Sequence, residues 1–150
     1  MTNKQLPISL RPATSEDVSF IFSSWLKSYR GSPFARNVAN EIYFNEHHLL
    51  IEKLVRENEV IIACNDSDEN QIYGYIVAGK TESIFTLHYI YVKHNFRSMG
   101  IGAALLNYFE HDASVVSIYT HYTRLCDKLG PKYNFIHHPY ILITNEAASE

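Results

Sequence analysis

Cysteine is scarce in this 150-residue chain: Cys64 and Cys126 are the only two. Two widely spaced thiols make no disulfide framework and suit a reducing compartment. Neither Cys-x-x-Cys nor His-Glu-x-x-His occurs. The adjacent pairs His47-His48 and His137-His138 aim their side chains apart, so the eight histidines match no zinc spacing and read as scattered surface or groove residues. Long apolar runs are missing too. The opening MTNKQLPISLRP holds nothing of signal-peptide or membrane length, which makes the cytoplasm the default compartment. Nor is there an excess of one charge: a net charge of -3 exerts no pull towards nucleic acid or an acidic membrane. The small cationic group Lys27, Arg30 and Arg36 reads as solvated surface. Internal repeats, low-complexity tracts and linkers are all absent.

What is present is an ordinary globular composition, 46% hydrophobic and 19% charged, long enough for one domain, 1–150, with a real core. Tyrosine is abundant, with 11 residues. Strands favour aromatics, and some of these rings are expected to line a groove.

ISLRPA predicts a first strand. Thr14 can cap a helix, with Asp17 answering from the third position. Val18, Ile21, Phe22, Trp25, Leu26 and Tyr29 then recur at helical spacing up to Gly31 and Pro33. GSPFARNVANEIYFNE predicts irregular chain, leading to a second helix through Ile51, Leu54 and Val55. EVIIAC is a buried strand, NDSDENQ a polar turn, and IYGYIVAG its antiparallel partner. Strict alternation in SIFTLHYIYV predicts Phe85, Leu87, Tyr89 and Tyr91 on one face, with Thr86, His88, Ile90 and Val92 on the other. A helix on Ile101, Ala104, Leu105, Tyr108 and Phe109 follows. VVSIYTHY predicts a strand, TRLCDKLG a short helix ending at Gly130, and YNFIHHPYILI one or two closing strands.

The most specific stretch is FRSMGIGAALLNYF, where Gly100 and Gly102 stand between strand and helix. N–H groups opening a helix lack internal acceptors and carry partial positive charge, so a glycine corner can bring them against a phosphate. An ordinary tight turn fits the local pattern equally well. A Walker loop is excluded because no Gly-Lys-Ser or Gly-Lys-Thr follows, and the third glycine of a dinucleotide fingerprint is missing.

R-S-M-G-I-G-A, with Y-I-Y-V just before it and A-L-L after, resembles the acyl-CoA motif of the GNAT N-acetyltransferase superfamily: Gln or Arg, two residues, Gly, one residue, Gly or Ala. L-R-P-A-T-S-E-D is similar to the family's first strand and helix entry, and R-L-C-D-K-L-G to its late helix. The resemblance implies a GNAT-like α/β single domain, with a central mixed, mostly antiparallel sheet flanked by helices. It also implies acetyl-CoA as co-substrate and a primary amine as acceptor. By the same resemblance, Ile90, Tyr91 and Val92 would bind the pantetheine arm through their backbone. The N–H groups of Ser98, Met99, Gly100, Ile101, Gly102 and Ala103 would surround the pyrophosphate, with Arg97 holding the corner. The thioester would lie in the splay between that strand and the one around Ile118.

The chain departs from the family at the catalytic positions. Thr86 stands where one branch carries a glutamate base, leaving His88 and His121 as candidate bases. Cys126 stands where many relatives carry a tyrosine acid; Tyr119, Tyr122 and Tyr133 are nearby substitutes. Pro131 replaces the usual phenylalanine. The acceptor is expected beside the loop between the first two helices, near Tyr29, Arg30, Phe34 and Tyr43. A small molecule or a protein amine fits that expectation, with no membrane partner; a homodimer stays open. Two alternatives are a CoA-binding regulatory or partner-binding module without catalysis and, suggested only by the cationic group, a nucleic-acid-modifying acyltransferase.

Overall fold

The computed structural model describes residues 7–33, 35–81, 83–110, 112, 114–123, 126–127 and 133–139. Among the described residues the strands and α-helices follow in the order β1 (Ile8–Pro12), α1 (Val18–Arg30), α2 (Asn40–Glu57), β2 (Glu59–Asn65), β3 (Asp68–Thr81), β4 (Ile84–Val92), α3 (Ile101–Tyr108), β5 (Ser117–Tyr119) and β6 (Phe135–His137). The strands form one sheet in chain order, β1 to β6. Pairing is antiparallel from β1 to β4 and parallel from β4 through β5 to β6. This is the mixed α/β architecture expected from the sequence.

Alternation along the strands feeds two cores, one on each sheet face. Ile21, Trp25 and Tyr29 of α1 and Tyr43, Ile51 and Leu54 of α2 pack against Val60, Ile62, Tyr75, Val77 and Tyr89. On the opposite face Ile101, Leu105 and Leu106 of α3 cover Ile61, Ala63, Ile76, Leu87 and Ile90. At the entry to α1, Asp17 accepts from the Thr14 N–H at 2.7 Å and from both ends of the Arg11 guanidinium at 2.7 and 2.9 Å. The expected cap thus closes on a one-turn 3₁₀ segment (Ser15–Asp17) and ties the helix to β1.

Three sequence expectations need correction. First, α2 begins at Asn40, so ANEIYFNE is mostly helical. Its buried members Tyr43, Ile51 and Leu54 fit a helical period, but the turn formers upstream masked the start. Second, β3 begins at Asp68, leaving only Asp66 and Ser67 as the turn. The polar residues there belong to an exposed hairpin end. Third, β4 does not alternate strictly. Val77 pairs with Tyr89 but Ala78 pairs with Leu87, so His88 is an extra residue in the ladder, a β-bulge. Past it the faces exchange: Leu87 and Ile90 share the α3 core while Tyr89 lies in the α1 and α2 core. His88 therefore does not share a face with Ile90 and Val92. The late helix is described only at Cys126 and Asp127, and the second closing strand and Pro131 lie outside the described residues.

Candidate functional site: an open strand edge, a glycine corner and a buried histidine pair

β5 pairs with β4 only at Thr86 and Leu87, and the Thr120 N–H donates to the Leu87 carbonyl at 3.0 Å. From Tyr89 to Val92, β4 remains paired to β3, while among the described residues no strand covers its other edge. The bulge sits at this parting, as bulges bend a strand and end its pairing. Ile90, Tyr91 and Val92 thus lie along an edge whose alternate N–H and C=O groups face outward.

The edge runs into the glycine corner. Arg97 donates from Nε to the Val92 carbonyl at 3.1 Å, pinning the corner to the end of β4. Ser98 has φ 64° and Gly100 φ 81°, both left-handed. Gly100 is the N-cap of α3, and the space where its Cβ would stand is open. Ser98, Met99 and Gly100 are exposed. Ile101, Gly102 and Ala103 form the first turn of α3, whose N–H groups have no acceptor within the helix. Gly102 is a helical residue, not a turn residue as the motif suggested; only Gly100 needs glycine's freedom. An exposed helix N-terminus behind a left-handed glycine, at the end of an unpaired strand edge, suits an extended ligand ending in phosphate.

Beside the parting lies a group of rings. His121 is 4% exposed and His88 also 4%, so neither is the surface or groove residue expected, and His121 is not free to turn into the loop. His88 Nδ1 and His121 Nδ1 each stand 3.0 Å from the Thr120 hydroxyl. The His121 ring meets Trp25, Tyr29 and His47 edge-on at 5.2, 4.9 and 5.1 Å between centroids. Trp25 stacks on Tyr89 at 4.5 Å, and His47 stacks between Tyr29 and Tyr43 at 5.1 and 5.2 Å. Burial penalises the imidazolium: it pushes His88 and His47 down to about 4 and His121 well below its ordinary value. His47 and His88 lower His121 further by like charge. All three imidazoles are neutral at pH 7.

The expected acceptor-side residues are mostly built into the fold. Tyr29 and Tyr43 are 6% and 3% exposed, and the Tyr43 hydroxyl donates to the Leu26 carbonyl at 2.6 Å. The Arg30 guanidinium lies over the Tyr43 ring and donates to the carbonyls of Ala35 and Val38 and to Asn40 Oδ1. It clamps the loop from α1 to α2, whereas Lys27 and Arg36 are exposed. Phe34 lies outside the described residues. Thr86 is fully buried, its hydroxyl donating to the Ile84 carbonyl at 3.1 Å. Cys126 is buried against the His121 carbonyl and Thr123, and burial raises its thiol. The Tyr122 hydroxyl donates to Asp127 at 2.6 Å, and Tyr119 stacks on His137 at 4.9 Å. A surface cleft of about 290 Å³ between Ala13, Val18, Val55, Asn58 and Tyr108 shares no residue with any of these groups.

Sequence reasoning missed Thr120, Trp25, His47 and Tyr89. Trp25 stood in the α1 stripe, but nothing in the chain announces the bulge that turns Tyr89 towards it.

By fold and site this is an α/β protein whose split sheet and helix N-terminus suit an extended ligand ending in phosphate. The chain belongs to the acetyltransferase (GNAT) domain family, whose sequence pattern matches residues 56–135. A Pyrococcus furiosus protein described as a putative acetyl transferase superposes with a TM-score of 0.54 at 19% identity, covering 93% of this chain and 91% of that one. A Corynebacterium glutamicum protein described as histone acetyltransferase HPA2 and related acetyltransferase gives 0.53 at 16% identity, over 69% and 70% of the two chains. Escherichia coli YjaB in its apo form gives 0.49 at 19% identity, and the match spans 67% of this chain but only 63% of that one. At such identities the likeness is one of fold. No curated protein sequence matches the chain.

Proposed function

We propose that this chain transfers an acetyl group from acetyl-CoA to a primary amine, in the cytoplasm. The observation that carries the reading is the continuous path from the open edge of β4 beyond His88 to the exposed corner of Ser98, Met99 and Gly100 that opens α3. Ile90, Tyr91 and Val92 would hold the pantetheine arm as an added strand does. Ser98 to Ala103 would hold the pyrophosphate through backbone N–H groups, and Arg97 keeps those two parts in register. Acetyl-CoA supplies the acetyl group as an activated thioester. The chain's own task is to keep the attacking amine neutral and to exclude water. His88 and His121, buried and neutral beside the parting strands, serve the first by disfavouring an ammonium next to them and accepting a hydrogen bond from the neutral amine. The rings of Trp25, Tyr29 and Tyr89 serve the second. The fit of the acceptor side rests on the α1–α2 loop that Arg30 clamps.

The test is a screen of small and peptide amines for thiol release from acetyl-CoA. Release that depends on the amine supports the reading; no release with any amine, in protein that binds CoA, ends it. That last outcome is the second reading, a CoA-binding module without catalysis. It is favoured by Thr86, whose hydroxyl is spent on its own strand, and by the raised thiol of Cys126. The nucleic-acid reading keeps only Lys27 and Arg36 as exposed cations of its group, because Arg30 is occupied by the α1–α2 loop.

A further inference from the structure

One hydroxyl stands between two buried imidazoles. Thr120 is 3% exposed, and its Oγ1 lies 3.0 Å from Nδ1 of His88 and 3.0 Å from Nδ1 of His121. A hydroxyl has one proton to give and two lone pairs. If both Nδ1 atoms were bare, the hydroxyl could satisfy one, and the other would face an oxygen lone pair at hydrogen-bond distance. If both carried protons, the hydroxyl would accept twice and its own hydrogen would be a buried donor without either neighbour as acceptor, which costs about 1–3 kcal/mol. The remaining arrangement satisfies the hydroxyl and both Nδ1 atoms: one Nδ1–H donates to the hydroxyl, and the hydroxyl donates to the other Nδ1.

We infer that Thr120 is a positioning residue that locks His88 and His121 into opposite neutral tautomers, so that one ring offers a bare Nε2 and the other an Nε2–H. The two rings are then a single unit with one acceptor and one donor. The unit can also hand a proton across. A proton taken up at the bare Nε2 releases that ring's Nδ1–H to the hydroxyl oxygen. The hydroxyl's own proton passes to the second Nδ1, and the second ring gives up its Nε2–H. One proton enters, one leaves, and the tautomers have exchanged. The surroundings suit a neutral pair. Those described are His47 from α2, Trp25 and Tyr29 from α1, Tyr89 from β4 and His137 from β6, and no carboxylate contributes to the shift of either imidazole.

As a role in amine acetylation the inference rests on the proposed function, but the tautomers are a property of the free protein. Long-range proton–nitrogen NMR on ¹⁵N-histidine protein, assigned with His88→Gln and His121→Gln, reads them directly at pH 7. The expected spectrum has one Nδ1–H ring and one Nε2–H ring, kept in Thr120→Ser and lost in Thr120→Val. Two identical tautomers in the unmodified protein, or opposite tautomers surviving in folded Thr120→Val, overturn the inference. The unmodified and serine proteins decide the matter if the valine variant does not fold. Should an acceptor amine be found, Thr120→Val is expected to lower kcat about 100-fold, with serine restoring it. Absence of any acceptor would count against the transferase reading while leaving the spectrum to judge the tautomers.

Discussion

Gly100 and Gly102 carry different duties although they are two residues apart. At φ 81° an alanine in place of Gly100 is strained by about 1–2 kcal/mol, even though its Cβ meets open space. At position 102 the backbone is helical, and alanine is favoured there by up to about 1 kcal/mol. Gly100→Ala is therefore expected to lower the unfolding midpoint and Gly102→Ala to raise it slightly, while both weaken CoA binding by calorimetry. Unchanged CoA affinity in both would mean the corner is only a turn. The buried histidines set a second residue-scale expectation. His88 titrates at about 4 in the folded chain and near 6.5 unfolded, so the unfolded chain takes up the proton first as pH falls. Its contribution to stability is whole above pH 6.5 and drains away towards pH 4, about 2 kcal/mol of it by pH 5. Urea unfolding at pH 7, 6 and 5 should show this fall, and His88→Gln should make it shallower.

At the scale of elements, the loop between α1 and α2 is held by side-chain to backbone bonds as well as by the burial of Ala35. Arg30 reaches carbonyls five and eight residues ahead and covers Tyr43, whose own hydroxyl returns to α1. Removing the guanidinium leaves loop carbonyls without their donor, at about 1–3 kcal/mol, whereas a solvated lysine costs under about 0.5 kcal/mol. Arg30→Ala should thus destabilise the protein clearly and Lys27→Ala should not, as measured by denaturant titration. Equal effects would return Arg30 to the status of a surface charge. The bulge in β4 acts at the same scale. It lets Leu87 and Ile90 share one core and places Tyr89 against Trp25 in the other.

At the scale of the whole molecule, a ligand that binds only the folded chain shifts unfolding by mass action. Acetyl-CoA at a hundredfold excess over its dissociation constant should add about 2.7 kcal/mol, visible as a raised thermal midpoint. No shift at millimolar acetyl-CoA in folded protein would end the acyltransferase reading. The two cores make this coupling natural, because α3 carries the glycine corner and covers β2, β3 and β4 with Ile101, Leu105 and Leu106.

Local pattern alone determined the order of elements from β1 to β5, the antiparallel pairing of β2 with β3 and the corner at RSMGIG. Apolar period, turn residues and glycine placement are properties of neighbouring residues, and they are legible wherever one period dominates. Where turn formers and helix formers mix, as in ANEIYFNE, the start of α2 was lost. The site was only partly legible. The residues proposed for the coenzyme side lie in one unbroken stretch, so Ile90 to Ala103 could be read together. The ring cluster and the Thr120 bridge join residues from α1, α2, β4 and the end of β5. Tertiary structure alone decided that Arg30 serves the loop, that His88 and His121 are buried and neutral, and that they meet at one hydroxyl. For His88 the reason is a single inserted residue. A bulge reverses which face each later side chain takes, and its cost is met by packing against other elements, which no local period records.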